Sequence, residues 1–380
     1  MITERSHVSA GAHGAMGSID AFSMGIAHRR DDGTFELSDI GDVLASHHSR
    51  ANDSVAQDLS GLGSAVGDFH HGTSLRPVID VTSPLPLPGS RVIAGRSVGP
   101  LGFGCWRLTT SSTEEASRLV EGVVDLGCTL IDTADVYGLD WGGTGWGTCE
   151  ERLGAVLAAR SGLRERMFLV TKGGIVPGVP YDSSGDYLTS ACEASLRRLG
   201  VDHVDLFMVH RPDLLSHPAD VAETLQSLRD RGLISAIGVS NHTVAQVEAL
   251  QSYLDEPVAA IQPEFSVAAL GAMRDGVLDQ AMQHRSAVLS WSPLAGGRVL
   301  TGEGLRPELI EVLDRIAATH DVDRTSIALA FVLAHPAQPI ALLGTQRLDR
   351  IEAARQALSI SLSRAEWFSI IEASEGVPLP

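Results

Sequence analysis

The chain has 380 residues, 44% of them hydrophobic and 20% charged, the balance of a folded globular protein rather than a disordered or fibrous one. Its 47 acids against 29 bases leave a net charge of −18, which argues against non-specific nucleic-acid binding and against docking on an anionic membrane. No run approaches the ~20 apolar residues that cross a bilayer and no secretory signal opens the chain, while Cys105, Cys128, Cys149 and Cys192 are spaced neither as a disulfide framework nor as a zinc site, so the cytoplasm is the expected compartment and no metal is expected.

Residues 1–88 carry 11 acids, 5 arginines and seven of the 14 histidines, and their hydrophobic periodicity is poor. Residues 38–48 and 54–66 are each patterned as a short amphipathic helix, with Ser38 and Ser54 as caps. The stretch ends in VTSPLPLPGS, an extended linker. With so little apolar surface to offset chain entropy, a poorly ordered or weakly helical N-terminal extension is expected. The pairs His47-His48 and His70-His71 lack the spacing of a metal site.

From residue 89 the texture changes. Eight short β-rich runs alternate with helical patterns: 100–106, 128–134, 167–173, 204–210, 234–240, 259–265, 287–293 and 339–345. The stretch 218–232 illustrates the helices, with Val221, Leu225 and Leu228 on one face. Gly127, Gly200 and Gly232 each close a helical stretch ahead of a strand. Strand–helix alternation implies parallel pairing through right-handed crossovers, and eight repeats make an α/β fold of the (β/α)8 TIM-barrel type over 89–380. The preceding RVIAGRSV is a hairpin suited to plug the barrel floor. A doubly wound sheet is the rival, but it calls for G-x-G-x-x-G after the first strand, and no such turn is present.

Barrel chemistry collects where strands end. The second strand ends in Asp132, with Tyr137 five residues on, in DTADVYG; the third ends in Lys172 (VTKGG) and the fourth in His210 (VHRPD). Taken singly, these residues read as a turn cap, a packing aromatic, a surface charge and a core histidine. Together they are a proton-delivery group, and Lys172 is the only lysine among the 29 bases. An ammonium about 4 Å from a phenol favours the phenolate by up to ~4 kcal/mol at an effective dielectric near 20. A carboxylate keeps the ammonium charged, and a histidine can orient a carbonyl oxygen. None of these groups supplies a hydride, so a reduced cofactor is implied.

The motifs DTADVYG, VTKGG, VHRPD, IGVSN, IQPEFS, WSPLAGGR and LLGTQRLDRIEAA stand in family order, and from about residue 90 the chain resembles an aldo-keto reductase, in particular the bacterial branch with HRPD and SPLAGGR segments. The resemblance implies that Tyr137 donates the proton, that Lys172 and Asp132 tune it, and that His210 places the carbonyl. It also implies a cofactor site. Ser240, Asn241 and Gln262 would hold the nicotinamide carboxamide, and Trp291, where most relatives carry tyrosine, would stack on its ring. Ser292, Pro293, Leu294, Ala295, Gly296, Gly297 and Arg298 would follow the pyrophosphate. Gly344, Thr345, Gln346, Arg347 and Arg350 would take the adenosine end, and Cys105 and Trp106 complete the set. Two arginines favour a 2′-phosphate, hence NADP(H) over NAD(H); Asp349 between them, and Ala354 where the family has asparagine, weigh the other way.

Trp106, Trp141 and Trp146 are candidates to line an apolar mouth for a carbonyl or sugar substrate, with Arg211 and His242 nearby. For Trp141 and Trp146, wedging the loop against the rim is an equal reading. Neither substrate nor direction is legible, since one transition state serves both directions. The reading is therefore an NADP(H)-dependent oxidoreductase on a small carbonyl compound, monomeric or homodimeric. The alternative on the same fold is a cofactor-sensing subunit with a protein partner.

Overall fold

A computed structural model describes residues 82–380 and, ahead of them, two short strands, β1 (Ala27–Arg29) and β2 (Phe35–Leu37). The described residues fall into two units, one within 1–75 and one within 76–380. In the first, β1 and β2 pair antiparallel with His28 opposite Glu36, a ribbon the sequence reading lacks. The helices expected at 38–48 and 54–66 and both histidine pairs lie outside the described residues.

The second unit begins before residue 89. The segment read as a linker packs instead: the Leu85 N–H donates to Leu362 O at 2.8 Å, and Pro84 bridges to Ser363. Proline leaves this extended segment few backbone donors, but Leu85 keeps its own and uses it. A hairpin follows, β3 (Arg91–Ile93) and β4 (Arg96–Val98), turning through Ala94 and Gly95 at φ 45° and 77°. Alternation puts Ile93 and Val98 on one buried face, packed among Leu130, Phe168, Leu206 and Ile340 of the barrel interior. The expected floor plug is present.

Eight strands form the barrel: β5 (Leu101–Gly104), β6 (Leu130–Asp132), β7 (Phe168–Gly173), β8 (Leu206–Val209), β9 (Ile237–Ser240), β10 (Ala260–Gln262), β11 (Ala287–Ser290) and β12 (Ile340–Leu343). Each lies inside a run marked from the sequence. All pair parallel, and β12 closes on β5. Helices cover the outside, for example Pro218–Asp230, which buries Val221, Ala222, Leu225 and Leu228. Gly127, Gly200 and Gly232 take φ of 88°, 65° and 72° where their helices end.

Strand parity decides what faces inward. Leu130, Val170, Met208 and Ala260 belong to the interior cluster, whereas Ile131, Leu169, Phe207 and Ile261 pack outward against helices. Gly102 makes room for the interior: a Cβ there would lie 2.8 Å from Leu342 Cδ2. Two residues beyond Leu130, Val170, Met208 and Ala260 stand Asp132, Lys172, His210 and Gln262. The inward faces thus change from apolar to polar at one level, at the C-terminal mouth.

Candidate active site

Asp132, Lys172 and His210 are buried, and Lys172 is wholly shielded from solvent. The Lys172 ammonium donates to Asp132 Oδ1 at 2.9 Å, to Oδ2 at 2.8 Å and to the carbonyl of Thr133 at 2.7 Å. These contacts fix the group in position as well as charge, and Tyr137 is a further hydrogen-bond neighbour. Burial pulls the Lys172 pKa down, but Asp132 and Tyr137 more than offset this and leave it above its ordinary 10.5. Nζ lies 4.9 Å from the centroid of the Tyr137 ring. The imidazole of His210 meets that ring edge-on at 5.7 Å between centroids. The structure therefore brings the four residues together.

Burial pushes the Tyr137 hydroxyl above its ordinary 10, and the opposing pull of Lys172 does not cancel it. A nearby ammonium favours the phenolate, but in the folded protein desolvation prevails. Tyr137 therefore holds its proton at neutral pH. Burial, with Lys172 and Arg211 adding repulsion, drives His210 well below 6.5 and keeps it neutral. Its Nδ1 is buried and unpartnered.

The residues proposed for the cofactor form a connected shelf beside this group. The Asn241 amide donates to Ser240 Oγ at 2.7 Å, and Trp291 Nε1 donates to Asn241 Oδ1 at 3.0 Å. Asn241 itself sits at φ 59°. Gln262 Nε2 donates to Asp132 Oδ1 at 2.8 Å, a link between strands distant in sequence that only closure of the barrel reveals. Past β11, Ser292, Ala295, Gly296 and Gly297 have φ of 49°, 52°, 69° and 102°, and open space surrounds the two glycines where a Cβ would point. Pro293 and Leu294 lie in the same loop, and Arg298 closes it by donating to Ala295 O at 3.0 Å.

At the end of β12 the Gln346 amide nitrogen is buried without a partner, beside a cavity of roughly 500 Å³ that Arg107 and Arg118 also line. Gly344 is exposed, and Thr345 Oγ1 accepts from the Arg347 N–H. Arg350 is exposed, whereas Arg347 is committed to Asp349, with Nε to Oδ1 at 3.0 Å. Cys105 is fully buried, which raises its thiol well above its ordinary pKa.

At the mouth, Trp106 and Trp141 meet edge-on at 5.7 Å, and Arg107 stacks 4.0 Å over Trp141. Trp146 is half-buried. Arg211 lies 5.9 Å over Trp291. His242 turns back, its Nδ1 3.0 Å from Ser240 O, and burial lowers its pKa to about 4, so it offers no cation to a carboxylate.

Known proteins share the closed eight-strand barrel. The family model described as Aldo/keto reductase family matches residues 100–375. The chain belongs to the aldo/keto reductase family. This aldo-keto reductase is thus an oxidoreductase by family. It is 42% identical over 304 residues to a 6-dehydroglucose reductase of Novosphingobium aromaticivorans, covering 78% of this chain and 100% of the relative. A 6-dehydroglucose reductase of Agrobacterium fabrum is 34% identical, covering 70% of this chain and 91% of its own. Among solved structures, an aldo/keto reductase from Klebsiella pneumoniae in complex with NADP and acetate superposes with a TM-score of 0.64 at 26% identity, covering 77% of this chain and 97% of that one.

Proposed function

We infer that this aldo-keto reductase is an NADP(H)-dependent enzyme that reduces the aldehyde of a sugar to the alcohol, with Tyr137 as proton donor. The observation that carries this reading is the buried Asp132–Lys172 pair lying against the Tyr137 ring. The sugar class rests on the two relatives named 6-dehydroglucose reductase, which would act on glucose carrying an aldehyde at C6. The Trp106–Trp141 pair gives the mouth an apolar face of the kind a sugar ring stacks on.

The residues fit a dinucleotide. Trp291 is locked through Asn241 beside Ser240 and Gln262, the Gly296-Gly297 backbone is open to close approach, and Gln346 holds an unspent amide donor. When bound, the reduced nicotinamide supplies a hydride to the carbonyl carbon. The chain supplies the rest. Neutral His210 donates to the carbonyl oxygen and orients it but is too weak a base to be the proton source. Tyr137 retains its proton until alkoxide character develops and then transfers it. Lys172 faces the phenolate oxygen left behind, in a site where a fixed charge acts with little screening. Asp132 keeps Lys172 charged, and Gln262 fixes Asp132.

The test is NADPH consumption across a panel of glucose C6-aldehyde, small aliphatic aldehydes and aromatic aldehydes. The highest kcat/KM is expected for the sugar aldehyde. Tight NADPH binding without turnover of any member would overturn this function and favour a cofactor-sensing subunit.

A further inference from the structure

Tyr137 is not on a strand. It hangs from a five-residue span that leaves β6 after Asp132, and the span is tied to β7 in both directions. The Lys172 ammonium holds Thr133 O, while the Asp135 N–H donates to Lys172 O at 3.0 Å. The Asp135 carboxylate lies on the helix side of the barrel wall, where a Cβ on Gly173 would come 3.5 Å from its Oδ2 and 3.2 Å from Ala191, and it is 1% exposed.

Three titratable groups face it there. Tyr187, from the helix Gly185–Leu199, donates its hydroxyl to Asp135 Oδ2 at 3.0 Å. Glu150, from the helix Thr148–Ala159, adds like charge, and Arg198 adds opposite charge. Asp182 acts on Tyr187 from the far side. Arg198 is spent on Glu150, with Nε to Oε2 at 2.7 Å, and Thr171 also bonds Glu150. The layer thus holds two carboxyl groups for one guanidinium, and Asp135 is the uncompensated one. Its Oδ1 is buried with no partner. A neutral carboxyl tolerates that position far better than an ionised one.

We propose that Asp135 is a positioning residue for carbonyl reduction: its neutral carboxyl, bonded to Tyr187, seats the 133–137 span on β7, and its ionisation unseats the span and withdraws Tyr137 from Lys172. This rests on the function inferred above for the same site. Burial, with Glu150 adding to it, lifts Asp135 to about 7, so the change falls in the neutral range. Tyr137 cannot account for a loss there, because its own pKa lies above 10.

The test is the pH dependence of kcat in the intact protein, together with the infrared carbonyl band of protonated carboxyl groups. The wild type is expected to lose rate as pH rises through about 7. Asp135→Asn, which keeps an acceptor for Tyr187, is expected to lose that limb while cofactor Kd stays within about twofold. Tyr187→Phe removes a bond that favours the ionised form, so its limb is expected at higher pH. The band lost near pH 7 in wild type is expected to be absent from Asp135→Asn, whether or not a substrate is known. A wild type without a neutral limb, an Asp135→Asn profile superposing on wild type, or a Tyr187→Phe limb unmoved or shifted down would each overturn the proposal. A titrating band in a protein that turns over no aldehyde would instead count against the inferred function.

Discussion

The Lys172 ammonium is chelated by both carboxylate oxygens of Asp132, at 2.9 and 2.8 Å, with neither side chain open to water. Removing one partner leaves a buried charge without its counter-ion, a change that costs about 3–5 kcal/mol. Lys172→Met is therefore expected to lower Tm by on the order of 10 °C and to abolish measurable turnover. Lys172→Arg keeps the charge, but a planar guanidinium cannot occupy a closed point site against Asp132 and the Thr133 carbonyl. It is expected to lose at least ~10²-fold in kcat. The sign with pH is fixed by the raised pKa: the stabilisation from this pair is complete below Lys172's ordinary 10.5 and is lost only as pH rises through its higher folded value. Thermal melts of Lys172→Met against wild type from pH 7 to 11 check this, the difference narrowing at the alkaline end.

Tyr137→Phe removes one oxygen and leaves the ring against Lys172 and His210. If the hydroxyl delivers the proton, kcat should drop by ~10² to 10⁴-fold. Cofactor Kd should stay nearly constant, because the shelf of Ser240, Asn241, Gln262 and Trp291 is untouched. Fluorescence titration with NADPH beside steady-state kinetics separates the two quantities.

Much of this site was legible because strands have a period of two. Asp132, Lys172, His210 and Gln262 each follow an inward apolar residue by two positions, and the eight β-rich runs locate them. What parity cannot give is bonding between strands distant in sequence. The Gln262–Asp132 contact spans 130 residues and exists only once the barrel closes. The same holds for the layer under the mouth: Asp135 reads as one acid in DTADVYG, and only folding shows that Glu150 has taken its cation. Three prolines specify an extended chain ahead of residue 89 but say nothing of what that chain lies on, here the segment around Leu362.

The floor plug makes a separate prediction. Asp205 is 3% exposed and accepts from Arg96, from Arg164 at 2.9 Å and from the Leu169 N–H at 2.7 Å. Arg164→Ala leaves Asp205 with one half-exposed cation, and a lost hydrogen bond to a charged group costs about 1.5–3 kcal/mol. A Tm drop of roughly 4–10 °C is expected, with kcat per folded molecule unchanged, since the latch lies at the barrel end opposite the mouth. A kcat loss at temperatures where the protein stays folded would show that the floor is coupled to chemistry.

If the turn after β12 takes the adenosine end, as the resemblance implies, cofactor preference should shift there. Arg347 is half of an exposed pair with Asp349, so its charge is partly cancelled before any phosphate arrives. Asp349→Asn frees the guanidinium and keeps the length of the side chain. A fully exposed ion pair of this kind is weak, so the released charge should improve NADPH binding by no more than about fivefold. NADH lacks the 2′-phosphate and should change little. The gain should shrink as ionic strength rises, because screening weakens the same interaction. Measuring Kd for both dinucleotides at 20 and 300 mM salt tests the assignment directly. An equal gain for NADH and NADPH would mean that Arg347 reads the shared part of the cofactor rather than the 2′-phosphate.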